Sequence, residues 1–170
     1  MVALARRRDY RSPFTRMGIG FAETDHGGAL AFVVHECGHL RYEDWNHVGI
    51  RSPYWRLHHN EAPGNALRAG GVTYPLRPGA VLLTPAGITF DTIGPRVVPH
   101  FWVHFTPRHE FAIALKTPLP IRVPGPIRAL LAACRGACEA ADTPSGHRRL
   151  LHRGTALLHA VFAAMSPEHY

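Results

Sequence analysis

The strongest constraint on this chain is how its apolar residues are divided. From residue 17 to about 106, turn signals cut it into short runs, most of them too short for a helix face. "HFWVHF" (100–105) alternates strictly, so His100, Trp102 and His104 share one face of a strand, and Phe101, Val103 and Phe105 share the other. "ALAFVVHE" (29–36), "YWRLHHN" (54–60), "GGVTYPL" (70–76) and "RPGAVLLTP" (77–85) are further strand candidates, separated by Gly-Gly, Pro-Gly and similar turns. Fifteen Pro and 16 Gly in 170 residues agree with many short strands in a sandwich or barrel.

The texture changes after Pro107. "KTPLPIRVPGP" (116–126) holds four prolines and reads as a connector without regular structure. In 127–141, Ile127, Leu130, Leu131, Cys134 and Cys138 fall on one helical face. In 145–165 the pattern repeats through Leu150, Leu157, Leu158, Val161, Phe162 and Met165, with Ser145 as the expected N-cap. An antiparallel helix pair is predicted. The second stripe is wider than one barrel contact needs, which predicts a homodimer through Leu150, Leu157, Leu158, Val161 and Phe162, with Gly154 allowing close approach. The alternative is that one subunit buries the whole stripe. The resulting division is an arm (1–16), a β domain (17–107), a Pro-rich connector (108–126) and a helical segment (127–170).

Bulk properties narrow the function classes. A composition that is 46% apolar and 18% charged supports a packed core. The net charge of +7 is spread over the chain, with basic clusters only at Arg6-Arg7-Arg8 and Arg148-Arg149, a weak basis for nucleic-acid binding. Cys37, Cys134 and Cys138 form no disulfide framework, no signal peptide is evident, and no run approaches a membrane span. A cytoplasmic protein with no membrane contact is expected.

Three constellations are candidates for chemistry. His35, Cys37 and His39 share a strand face in an ideal strand and are zinc-type ligands, but a fourth ligand is lacking and Gly38 interrupts the strand. Tyr54, Arg56, His58 and Asn60 face one way on their strand, as an outward polar face or as a ligand-binding lining. His100, Trp102 and His104 either face solvent or line a cavity, and alternation alone does not choose. There is no nucleophile elbow, P-loop, H-E-x-x-H motif or evident carboxylate pair.

Residues 51–107 resemble the N-terminal cupin domain of AraC-type transcription regulators. "LRPGAVLLTPAG" (76–87) is similar to that family's strand–turn–strand, and "HFWVHFTP" (100–107) to its closing strand. The resemblance implies a mostly β fold with C-terminal helices: a cupin-like double-stranded β-helix (jelly-roll) barrel followed by the helix pair. It also implies a non-enzymatic domain that senses a small molecule, possibly a sugar in type. Its helix-turn-helix DNA-binding part is not found in this sequence, so the chain is expected to be the effector-binding and dimerisation part alone.

Metal-dependent cupins place a histidine where this chain has Phe90, and "HHNE" lacks their first metal motif, so no metal and no cofactor are expected. By resemblance, His100 and Trp102 contact the effector and Arg51 matches an effector-contacting Arg. Thr92 stands where the family has Tyr, and Ala80 where it has Asp. The ligand-binding set read from residues and resemblance together is Arg51, Arg56, His58, Phe90, Thr92, His100, Trp102 and His104. Two other classes compete: a small metal-dependent cupin enzyme using His58, His100 or His104, and an interaction module with a filled barrel.

Overall fold

The structure, a computed structural model, describes residues 31–41, 43–108, 115–140 and 143–169. Eight strands are followed by two helices. The strands are β1 (Ala31–Arg41), β2 (Trp55–Asn60), β3 (Ala66–Ala69), β4 (Val72–Pro75), β5 (Ala80–Thr84), β6 (Phe90–Ile93), β7 (Pro99–Arg108) and β8 (Leu119–Arg122). The helices are α1 (Gly125–Cys138) and α2 (Pro144–Ala163), and a short 3₁₀ turn, Pro167–His169, follows them. One antiparallel sheet runs β1-β7-β2-β5-β8 and a second runs β4-β3-β6. The arm expected at 1–16 lies outside the described residues.

Several expectations need correction. β1 runs through Gly38 to Arg41 rather than ending at residue 36. β3 and β6 were not foreseen, because each is only four residues long and lacks a distinct apolar run. β8 forms inside the Pro-rich stretch: as an edge strand it tolerates Pro120, whose missing N–H leaves no central ladder bond unmade. The N-cap of α2 is Thr143, not Ser145; the Thr143 hydroxyl accepts from the Gly146 N–H at 3.0 Å.

The large sheet is covered on both faces. On one, Leu57, Val81, Leu83, Phe101, Val103, Phe105 and Ile121 pack against Ile127, Leu131 and Cys134 of α1 and Leu157, Leu158, Val161 and Phe162 of α2. Phe105 meets Phe162 edge-on at 6.0 Å between centroids, and Phe32 meets both rings. On the other face, Leu82 joins Trp45, Leu67, Ala69, Leu76 and Phe90 in a smaller core shared with the three-stranded sheet.

The helices form an antiparallel hairpin. A Cβ at Gly146 would lie 1.8 Å from the Ala140 carbonyl oxygen, and further along Arg153 Nη1 donates to the Ala133 carbonyl at 2.8 Å. This hairpin overturns one expectation. Leu157, Leu158, Val161 and Phe162 are fully buried within the single chain and Leu150 nearly so, so these five have no surface left for a dimer interface. Their stripe is wide because it covers the sheet and α1 together. A Cβ on Gly154 would meet no described atom of the chain outside its own helix backbone within 4 Å. No helix among the described residues is long and apolar enough to cross a membrane.

The β1–β7 ladder sets the cavity face. Its register slips between Val34 and Glu36, so His35 is an extra residue on β1. Beyond the slip Gly38 lies opposite Trp102, and a Cβ there would come within 2.3 Å of the indole ring. Only glycine leaves room for Trp102 to lie flat over β1. Gly38→Ala is expected to push the indole aside and lower the unfolding free energy by about 1–3 kcal/mol, as overpacking does. Denaturant unfolding with indole fluorescence as the probe checks this.

Candidate functional site

The strand pairing places the polar side chains together. Arg56 pairs with His104, His58 with Trp102 and Asn60 with His100 along the β2–β7 ladder. All six point away from the helix core, because Leu57, Phe101, Val103 and Phe105 occupy the alternate positions. Between this face and the small sheet lies a cavity of about 450 Å³. Its wall includes Arg56, His58, His100, Trp102 and His104 from the large sheet, with Thr92 from β6.

The remaining lining residues were not in the sequence-derived set. Glu36 reaches the cavity because of the slip at His35. Trp45, His47 and Ile50 come from the loop before β2, which lies alongside β6. Ile50 exchanges backbone bonds with Phe90 at 2.8 and 3.0 Å, and the His47 N–H donates to the Thr92 hydroxyl at 2.9 Å. The loop thus acts as an extra strand on the small sheet, a pairing no local pattern in "NHVGIRSP" announces.

Two expected residues sit elsewhere. Arg51 is exposed, and its Nε donates to the Gly87 carbonyl at 3.1 Å, so it braces the turn after β5 instead of lining the cavity. Phe90 is buried in the smaller core, 5.2 Å from the Arg56 guanidinium. It supports Arg56 from behind.

Two hydrogen-bonded sets organise the cavity. In the first, His100 Nδ1 lies 2.7 Å from Asn60 Oδ1, and His100 Nε2 lies 3.3 Å from His58 Nδ1. Burial pushes the His58 pKa well below its ordinary value, and the neighbouring His100 adds to the effect. Burial likewise lowers His100, to about 3. Both imidazoles are therefore neutral at pH 7. In the second set, Glu36 accepts from Trp102 Nε1 at 2.7 Å and pairs with His104 Nδ1 at 2.9 Å. His104 is also lowered, chiefly by burial and then by the Arg56 charge.

Aromatic rings fill the remaining wall. Trp102 stacks on His100 at 5.9 Å with 12° between planes, and Trp45 lies 4.7 Å from His100 on another side. Arg56 lies 5.3 Å from the Tyr54 ring, and its Nη2 donates to the Ser52 hydroxyl at 2.6 Å.

Cupin barrels commonly carry a metal on histidines, and these residues do not fit one. Among the described residues, no group of three His, Cys, Asp or Glu converges as ligands. The slip at His35 also divides the "HECGH" cluster. His35 turns toward Tyr54 and Thr106, Cys37 packs at the helix core, and His39 reaches Glu61 at 3.5 Å.

No family model matches this chain, and no curated protein matches it. Among solved structures it is similar to an apo, singly substituted ToxT from Vibrio cholerae, with a TM-score of 0.52 and 11% identity over 78% of this chain and 56% of that one. A second ToxT structure gives a TM-score of 0.46 at 9% identity over 81% and 57%. An unsaturated fatty acid-bound wild-type ToxT gives 0.44 at 12% identity over 78% and 55%. The first of these establishes a shared fold. The chain spans a little over half the length of these structures.

The neutral histidines give the fold a pH dependence. An unfolded histidine takes up a proton near pH 6.5, whereas folded His58 and His100 resist it to much lower pH. The contribution of both is fully present above about pH 6.5 and is lost as pH falls, for His100 down to about 3. The unfolding free energy is expected to be level from pH 8 to 7 and then to fall by up to about 1.4 kcal/mol per pH unit for each such histidine. Guanidinium unfolding at each pH measures this, and His100→Gln should flatten the slope.

Proposed function

We propose that this chain is the effector-sensing domain of an AraC-type transcription regulator, binding a small molecule in the cavity between its two sheets. The observation that carries the reading is the cavity itself: about 450 Å³, walled by Trp45 and Trp102, with Arg56, His58 and Thr92 offering polar contacts. Small-molecule sites typically combine this size with mostly apolar walls and a few placed polar groups. The shared fold with ToxT, an AraC-family regulator, supports the assignment, as does the resemblance of residues 51–107 to that family's cupin-like barrel.

The lining fits binding better than turnover. Among the described lining residues Glu36 is the one carboxylate, and both its oxygens are already engaged by Trp102 and His104, so it has no second acid beside it to exchange protons with. DNA binding in this reading belongs to a helix-turn-helix part outside this sequence. Homodimerisation stays part of the proposal, through surfaces other than the five buried residues of α2.

A thermal-shift screen of the chain against sugars, organic acids and amines tests the function. A true effector at 100 times its Kd stabilises by about 2.7 kcal/mol. Trp102→Ala is expected to remove that stabilisation while the chain stays folded. Ligands that stabilise the Trp102→Ala chain as well as the original would place binding outside this cavity and contradict the assignment.

A further inference from the structure

We propose that the cavity takes a small monocarboxylate that also carries a hydroxyl group, with its carboxylate on Arg56 and its hydroxyl on His58. The inference rests on the reading above, that the domain binds its effector here, and adds the charge and polarity of that effector.

Arg56 supplies the first half of the argument. Its guanidinium is held near the Tyr54 and Phe90 rings, and Nη2 donates to Ser52 and, at 3.4 Å, to the Tyr54 hydroxyl. Its Nε is buried with no acceptor, and no carboxylate among the described residues pairs with it. A fixed guanidinium with an unused donor in a walled cavity matches the planar fork of a carboxylate. The rest of the lining limits the ligand's charge to one. His58, His100 and His104 are held neutral by burial, so among the described lining residues Arg56 is the one guanidinium or ammonium, and the Glu36 carboxylate lies in the same wall, which disfavours a phosphate dianion.

His58 supplies the second half. Asn60 Oδ1 accepts from His100 Nδ1, which makes His100 Nε2 an acceptor and His58 Nδ1 its donor. His58 Nε2 is then a lone pair, and it is buried with no partner. It needs a donor, which a neutral hydroxyl supplies. Arg56 and His58 stand two residues apart on one face of β2, a separation of about 7 Å. One ring or short chain spans that distance, and Trp45 and Trp102 give its body apolar walls.

The test is isothermal titration at pH 7. The acid probes are 4-hydroxybenzoate, 4-hydroxyphenylacetate and 3-hydroxybutyrate; their primary amides, benzoate, glucose and tyramine are the comparators. At least one hydroxy acid is expected to bind tenfold or more tightly than its amide. If that acid is 4-hydroxybenzoate, it should also exceed benzoate. Arg56→Gln should erase the acid–amide difference, and His58→Phe the hydroxyl preference. The acid–amide comparison on the unaltered chain stands even if a variant fails to fold.

Binding of glucose or tyramine that is lost in Trp102→Ala and unchanged in Arg56→Gln would overturn the carboxylate class and leave the sensing role intact. Acid binding unchanged in Trp102→Ala would remove the site, and with it both readings. Silence from every probe, acid, neutral and cationic, would count against both as well.

Discussion

The structure depends on burying both faces of β7. This strand lies second in the five-stranded sheet, between β1 and β2, so its backbone is paired along both edges. Phe101, Val103 and Phe105 drive one face onto the helix hairpin, and that apolar contact supplies most of the core. The other face carries His100, Trp102 and His104 and is shielded by the small sheet and the loop through Trp45. Polar groups buried there need partners, and Asn60, His58 and Glu36 provide them.

The satisfaction is incomplete: His39 Nε2 and His59 Nδ1 lack a hydrogen-bond partner away from the cavity, and the other gaps lie together on its side. Arg56 Nε, His58 Nε2 and Asn60 Nδ2 on β2, with Thr84 Oγ1 opposite Arg56 on β5, are buried without a partner among the described residues. Each such group costs roughly 1–3 kcal/mol relative to a satisfied one. The helix-side core, where Phe105, Phe162, Leu157 and Leu158 are fully buried, offsets that cost. A ligand that satisfied Arg56 and His58 would recover part of it, so the strain in the cavity and its suitability for binding have one physical origin.

Much of this was legible in local pattern. The alternation in "HFWVHF" and "YWRLHH" correctly separates the residues facing the helices from those facing the cavity, and the helical periodicity places α1 and α2 within a few residues. What alternation cannot show is that both faces are covered, since that depends on where the helices and the small sheet dock. Glu36 was missed because the extra residue at His35 changes which side chains share a face, and such a slip leaves no local signature. Trp45, His47 and Ile50 were missed because their loop gains its order from β6, some forty residues away in sequence. Arg51 was placed in the site by resemblance, yet it turns to the Gly87 carbonyl instead. The α2 stripe was read as an interface because its width was weighed against the barrel alone, not against α1 as well.

The central claim is that a small molecule binds on the cavity side of β7 and not among the helices. The three tryptophans report this directly, because Trp45 and Trp102 line the cavity whereas Trp55 packs against Phe105 and Phe162 on the helix side. The decisive measurement is a fluorine NMR titration of chain labelled with 5-fluorotryptophan, using the ligand that stabilises it most. The account predicts that the Trp45 and Trp102 resonances move together to saturation while Trp55 stays in place. Movement confined to Trp55, or saturation with all three unmoved, would contradict it.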